Sequence, residues 1–234
     1  MMKATEHADP LEAVLKVGGS LSRGKGLAPL CEEIALLGRK HRLLVVPGGG
    51  GFADQVRAAY RSFRLAETTA HRMALLAMDQ YGLLLADLLP GATLTADLLQ
   101  AHQIAGEGRV PVLLPSALLN LADPLPHSWQ VTSDSIAAWI GALAGAKKLV
   151  LLKDVDGLYR HWPAMGSLRP EEEIDLAHAP GNQGGIDVYF PYALQGSSMD
   201  AWAINGDHPQ RLEELLESGK TFGTHLLSAG QGKP

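Results

Sequence analysis

Five short apolar runs punctuate the chain: residues 13–17 (AVLKV), 43–47 (LLVVP), 111–115 (PVLLP), 149–153 (LVLLK) and 201–205 (AWAIN). Most lack the strict alternation of a half-exposed strand, the pattern of strands covered on both faces. Longer stretches between them carry helical spacing. Leu27, Leu30, Ile34 and Leu37 share one face, and Gly38 stands where that helix would stop. Residues 66–88 predict a longer helix, and residues 51 onward another. Ile136, Ile140 and Leu143 recur at helical spacing after a capping residue, Thr132 or Ser133. Asp207 and Pro209 mark the start of a helix through QRLEELLES. Strand–helix alternation predicts an α/β fold, a mainly parallel sheet with helices on both faces. The Gly- and Pro-containing residues 160–185 predict irregular structure, and Lys147 and Lys148 read as the cationic end of a helix. With no repeat and no low-complexity linker, residues 1–234 read as a single domain.

Composition narrows this little. A hydrophobic content of 46% over 234 residues suffices for a core, and the formal net charge of −5 shows none of the basic excess of a nucleic-acid binder. Cys31 is the sole cysteine, which excludes an internal disulfide and a multi-cysteine zinc site and suits a reducing, cytoplasmic compartment. The opening MMKATEHADP lacks a signal peptide's apolar segment. The richest apolar stretch, residues 73–89, is interrupted by Asp79, Gln80 and Asp87, so a buried helix is expected there and no membrane span. The nine histidines show no H-x-x-x-H spacing, and no protein-held metal is expected.

Chemistry concentrates at the ends of the apolar runs. Gly19, Gly24 and Lys25 fit G-x-x-x-x-G-K after a strand, but Gly26 stands where a P-loop needs a hydroxyl for magnesium. Lys16 interrupts an otherwise buried run. It either snorkels to water or holds its ammonium over the crevice at the strand's end, where Gly18 and Gly19 would let backbone N–H groups approach an anion. Gly48, Gly49, Gly50 and Gly51 lie between a strand and a helix. Ordering four glycines is entropically costly, so they form either an over-flexible loop or a bare nest facing a charged ligand. Asp134 falls in a helix's first turn, where a carboxylate also simply complements the dipole. Lys153, Asp154, Asp156 and Gly157 follow a buried strand, as a functional edge or a polar exit.

Taken in order, KVGGS at 16–20, the Gly48–Gly51 loop, TSDSIAAWIGALAGA, LLKDVDGLY and the closing NGDHPQRL…GTHL resemble the amino acid kinase family over nearly the whole chain. AHRMALLAMDQYGLLLADL and LPHSWQVTSDSIA look like its branch that phosphorylates 5-(aminomethyl)-3-furanmethanol phosphate in the making of methanofuran-type C1 carriers. The resemblance implies a three-layer α/β/α sandwich with an acceptor lobe at 13–130 and a nucleotide lobe at 131–234. It implies an ATP- and Mg²⁺-dependent small-molecule kinase, with no nucleic-acid or membrane partner and with self-association into a homo-oligomer. By the same analogy Lys16, Gly18, Gly19 and Ser20 face the ATP phosphates, and Asp134 orients Lys16. Gly48, Gly49 and Gly50 hold the acceptor's reacting end. Lys153, Asp154, Asp156, Gly157 and Tyr159 border the nucleoside, and Lys25 has no role.

Relatives carry a second phosphate-facing lysine late in the chain, where this sequence has Val188 in QGGIDVYFPYAL. Lys153 reaches the phosphates instead, or Arg160 or His161 does, or transfer is impaired and the protein is a nucleotide-binding regulator. For the acceptor, Arg57, Arg61, Arg64 and Arg72 offer guanidinium forks or form a solvated basic face. His71, Met73, Asp79, His127 and Trp129 are candidates for an aminomethyl-furan pocket or for plain packing. Other acceptors within the family are a nucleotide monophosphate, a carbamate or an amino acid.

Overall fold

The computed structural model describes residues 9–159, 170–176 and 185–227. In those residues the elements run β1 (Ala13–Val17), a 3₁₀ turn (Gly19–Arg23), α1 (Leu27–Leu37), β2 (Leu43–Pro47), α2 (Gly50–Phe63) and α3 (Glu67–Leu88). Then come β3 (Thr93–Thr95), α4 (Leu98–Gly106), β4 (Pro111–Leu113), α5 (Pro115–Ala122), α6 (Ser133–Leu143) and β5 (Lys148–Lys153). The chain continues through β6 (Glu173–Asp175), α7 (Phe190–Leu194), β7 (Asp200–Asn205), α8 (Gln210–Ser218) and β8 (Thr224–Leu227). The strands form one eight-stranded sheet, ordered β3-β4-β2-β1-β5-β7-β8-β6. Every pairing is parallel except β7 with β8.

Each face of the sheet has its own core. Val14, Leu44, Leu149, Leu151 and Ala201 pack on one side with Ile136 and Ile140 of α6. Leu15, Val17, Val45, Val150, Leu152 and Ile204 pack on the other with Leu30 and Ile34 of α1 and Leu212 and Leu215 of α8. Burial on both faces is why these strands read as unbroken apolar runs. The period of two then fixes where the lysines point. Lys16 shares the side of Val14, and Lys153 the side of Leu149 and Leu151. Register pairs Lys16 with Leu151, so both ammonium groups lie on the α6 side near the C-terminal ends of adjacent strands.

One expectation fails here. Lys148 does not end a helix. It opens β5, and its ammonium bonds the Asp200 carboxylate at the start of β7, while α6 stops at Leu143 and turns back through Gly145, whose φ is +65°. No described helix is long and apolar enough to cross a membrane.

Candidate active site

The site grows from the C-terminal ends of β1, β2 and β5, where the strand order departs from β1 in both directions. Lys16, Asp134 and Lys153 are all buried, with 5, 4 and 8% of their surface exposed. Asp134 sits between the lysines. Its Oδ1 meets Lys16 Nζ at 2.7 Å and its Oδ2 meets Lys153 Nζ at 2.9 Å. Burial alone would raise this carboxyl, but Lys153 and Lys16 outweigh it and hold it down to about 2. Burial pulls the Lys153 ammonium below the ordinary lysine range, Asp134 opposes that shift, and Lys16 adds to it. Two cations share the one carboxylate that bonds them, and the Asp187 charge acts on Lys153 from further off, so the array offers its ammonium groups to an anion in a dry place.

Asp134 is held there by its helix. Thr132 caps α6, and Asp187 accepts from Thr132 N at 2.8 Å, Thr132 Oγ1 at 2.7 Å and Ser135 N at 3.0 Å, and also from Ser135 Oγ. Asp187 thus satisfies orphan donors at the positive end of α6 and fixes the turn that presents Asp134. It precedes Val188, which is 37% exposed.

Two glycine turns meet beside the array. A Cβ on Gly19 would lie 2.1 Å from Gly50 N, one on Gly48 2.8 Å from Gly19 N, and one on Gly18 2.7 Å from Leu152 O. Gly50 also has φ of +54°, a conformation other residues rarely adopt. Gly51 faces open space and needs no glycine for room. The buried Tyr81 hydroxyl donates to Gly18 O at 3.2 Å, and Ser20 Oγ donates to Asp154 Oδ1 at 2.7 Å across the β5 exit. Asp156 accepts from Asn205 Nδ2 at 3.1 Å and Arg211 NH1 at 2.6 Å; burial would raise its carboxyl, and these bonds hold it below the usual carboxylate range. Gly157 packs on Thr224 Oγ1 and Pro170, and Tyr159 closes that described stretch. Lys25 is exposed on the loop before α1.

From the glycine turns a cleft of about 260 Å³ runs between α2, α3 and the start of α6, lined by Gly19, Ser20, Gly49 and Gly50 at one end and by Arg57, His71 and Trp129 further along. The Arg57 guanidinium lies 5.1 Å from the Trp129 ring centroid, and Tyr60 tilts against the same indole at 5.5 Å. His71 stacks on His127 at 4.4 Å, and burial, then the charge of His127, lowers its pKa.

Not every candidate reaches this cleft. Arg61 and Arg72 are exposed and do not line it. The Asp79 carboxylate accepts from Ser116 N at 3.1 Å and from Ser116 Oγ, and so braces the start of α5 against α3. His127 is engaged by Asp123 at 2.7 Å. Arg160 and His161 lie outside the described residues. Sequence reasoning passed over Asp187, which had no motif to mark it, and passed over Arg23 and Asp54, which look like surface charges until the turns fold together.

The mainly parallel sheet that carries these residues is that of a small-molecule kinase. The chain belongs to the amino acid kinase family, which residues 12–195 match. It is 30% identical over 218 residues to the [5-(aminomethyl)furan-3-yl]methyl phosphate kinase of Methanocaldococcus jannaschii, covering 92% of this chain and 97% of that enzyme. It is 38% identical over 144 residues to the acetylglutamate kinase of Bifidobacterium longum subsp. infantis, 59% of this chain and 47% of that one. The uridylate kinase of Archaeoglobus fulgidus shares the fold, with a TM-score of 0.73 at 20% identity over 93% of this chain and 100% of that one.

Proposed function

We propose that the protein transfers the γ-phosphoryl group of ATP to [5-(aminomethyl)furan-3-yl]methyl phosphate, forming its diphosphate. The observation that carries this reading is the Lys16–Asp134–Lys153 array at the meeting of the two glycine turns. ATP lies along Gly18, Gly19 and Ser20 toward Asp154, Asp156, Gly157 and Tyr159, in a nucleotide lobe of residues 131–234. The acceptor enters the cleft of the 13–130 lobe, with its phosphate at Gly48, Gly49 and Gly50, its ring against Trp129 and Arg57 nearby. Lys16 and Lys153 neutralise the equatorial oxygens of the migrating group and align it, which is most of what phosphoryl transfer asks of a protein. Lys153 thereby supplies the second cation that Val188 does not. Mg²⁺ arriving with ATP would supply further neutralising charge, and the exposed Asp154 carboxylate beside Ser20 would help hold it.

The acid–base character of the site favours an acceptor that is already ionised. An alcohol would need a base, whereas Asp134 is spent on two lysines and held down to about 2. A phosphate monoester has lost most of its second proton near neutrality and attacks unaided. The attacking oxygen forms the new P–O bond as the bond to ADP breaks, and no proton moves. Self-association in a reducing cytoplasm completes the reading. A coupled assay of ADP release with the purified furan phosphate and MgATP tests it: saturable turnover is expected, and ADP release only with UMP, carbamate or an acylated amino acid would reassign the acceptor.

A further inference from the structure

One carboxylate in the cleft has no part in the transfer just described. Asp54 of α2 accepts from Arg23 NH2 at 2.5 Å and from Arg57 NH1 at 3.1 Å. Arg23 comes from the 3₁₀ turn that follows Gly19 and Ser20, and Arg57 from α2 one helical turn beyond Asp54. All three line the cleft together with the glycine turns. Arg57 is also steadied from the side by Trp129. The Arg23 and Asp54 side chains are 71 and 41% exposed, and pairs so exposed add little to stability. A stabilising strut is therefore a poor account of two guanidiniums gathered on one carboxylate at a cavity wall.

We propose that Arg23, Asp54 and Arg57 form a charge filter that selects a phosphate monoester over a carboxylate at the acceptor end of the cleft. This rests on the reading of that cleft as the acceptor site. Two arginines and one aspartate leave a single net positive charge facing the cavity. A carboxylate brings only one charge and two oxygens, and gains too little from a wall of one net positive charge to offset its desolvation. A phosphate monoester carries about −1.5 to −2 charges near neutral pH and three acceptor oxygens. It takes hydrogen bonds from the free N–H groups of both guanidiniums while Asp54 keeps its own. Asp54 sets the threshold, and Arg23 is the specificity-determining partner that reaches over from the donor-side turn.

Isothermal titration with methyl phosphate and with acetate, each with and without a non-hydrolysable ATP analogue and Mg²⁺, tests the filter apart from catalysis. Every variant keeps Lys16 and Lys153, so differences between variants report the cleft wall. Methyl phosphate is expected to bind wild-type protein at least ~10-fold more tightly than acetate, and Arg23→Ala to weaken methyl phosphate by about 10-fold, the scale of one charge-assisted hydrogen bond. Asp54→Asn, which leaves both guanidiniums without their counter-charge, is expected to raise acetate affinity by at least ~3-fold. In turnover, Arg23→Ala raises KM for the phosphorylated acceptor and leaves KM for ATP unchanged. Unaltered methyl phosphate binding in Arg23→Ala, or unaltered acetate binding in Asp54→Asn, overturns the filter. The expected binding pattern with no turnover of the furan phosphate would uphold the filter and overturn the acceptor's identity.

Discussion

Lys16 and Lys153 would repel one another in a dry interior without Asp134, and that dependence makes the array testable residue by residue. Lys16→Ala removes a preorganised cation from the migrating group and is expected to lower kcat at least ~100-fold, measured at saturating MgATP and acceptor. Asp134→Asn leaves two buried ammonium groups without their counter-charge. A loss of about 3–5 kcal/mol in urea denaturation is expected, the scale of breaking a buried ion pair from one side. The acid limb follows from the same carboxyl. Its folded pKa of about 2 lies below the ordinary 3.8, so its stabilising contribution is complete above pH 3.8 and disappears as pH falls through 2. Thermal unfolding scanned across that window should show the loss in wild type, and a flatter profile in Asp134→Asn. At the other extreme, Lys153 gives up its proton below the usual 10.5. The alkaline limb of kcat/KM for ATP is expected below that value, and Lys153→Arg should move it upward.

At the scale of elements, the two turns can meet only because neither carries a side chain where they touch. Gly19→Ala puts a methyl group 2.1 Å from Gly50 N, and neither backbone can yield without moving β1 or α2. Both ATP and acceptor affinity are expected to fall by calorimetry. Gly51→Ala is the matched control: its Cβ meets open space in the first turn of α2, and a gain of about 0.4–1 kcal/mol is expected with unchanged kcat. The elements differed in how far they could be read in advance. β1, β2, β5 and β7 are buried on both faces, and their apolar runs announce them, as the spacing of Leu27, Leu30, Ile34 and Leu37 announces α1. β3 and β6 are three-residue strands at the two edges of the sheet, too short for any period to register. Lys148 looked like a helix end because a run of lysines has no phase of its own; pairing with β1 and β7 assigned it to β5.

For the molecule as a whole, the outer face of α3 carries exposed apolar side chains. Leu76, Leu83, Leu84 and Leu88 are 53, 51, 36 and 38% exposed, and they recur at helical spacing beside the buried Leu75 and Leu85. The proposed self-association would cover this stripe, and sedimentation velocity should show Leu83→Glu shifting the protein toward monomer with its circular dichroism unchanged.

The sequence by itself determined the layered α/β plan and marked both glycine clusters, because apolar runs and adjacent glycines are local features; Lys16, Asp134 and Lys153 each had an ordinary local reading as well, and stood out through the family resemblance. Only the tertiary structure decided that the two lysines share one carboxylate, that Asp79 is spent on α5, and that Arg23 joins Arg57 on Asp54. Apart from Arg57 with Asp54, one helical turn away, those pairings link residues at least 19 positions apart along the chain. They come from strand register and helix packing, in which the free energy of burying whole faces, and no property of the paired residues, chooses the neighbours.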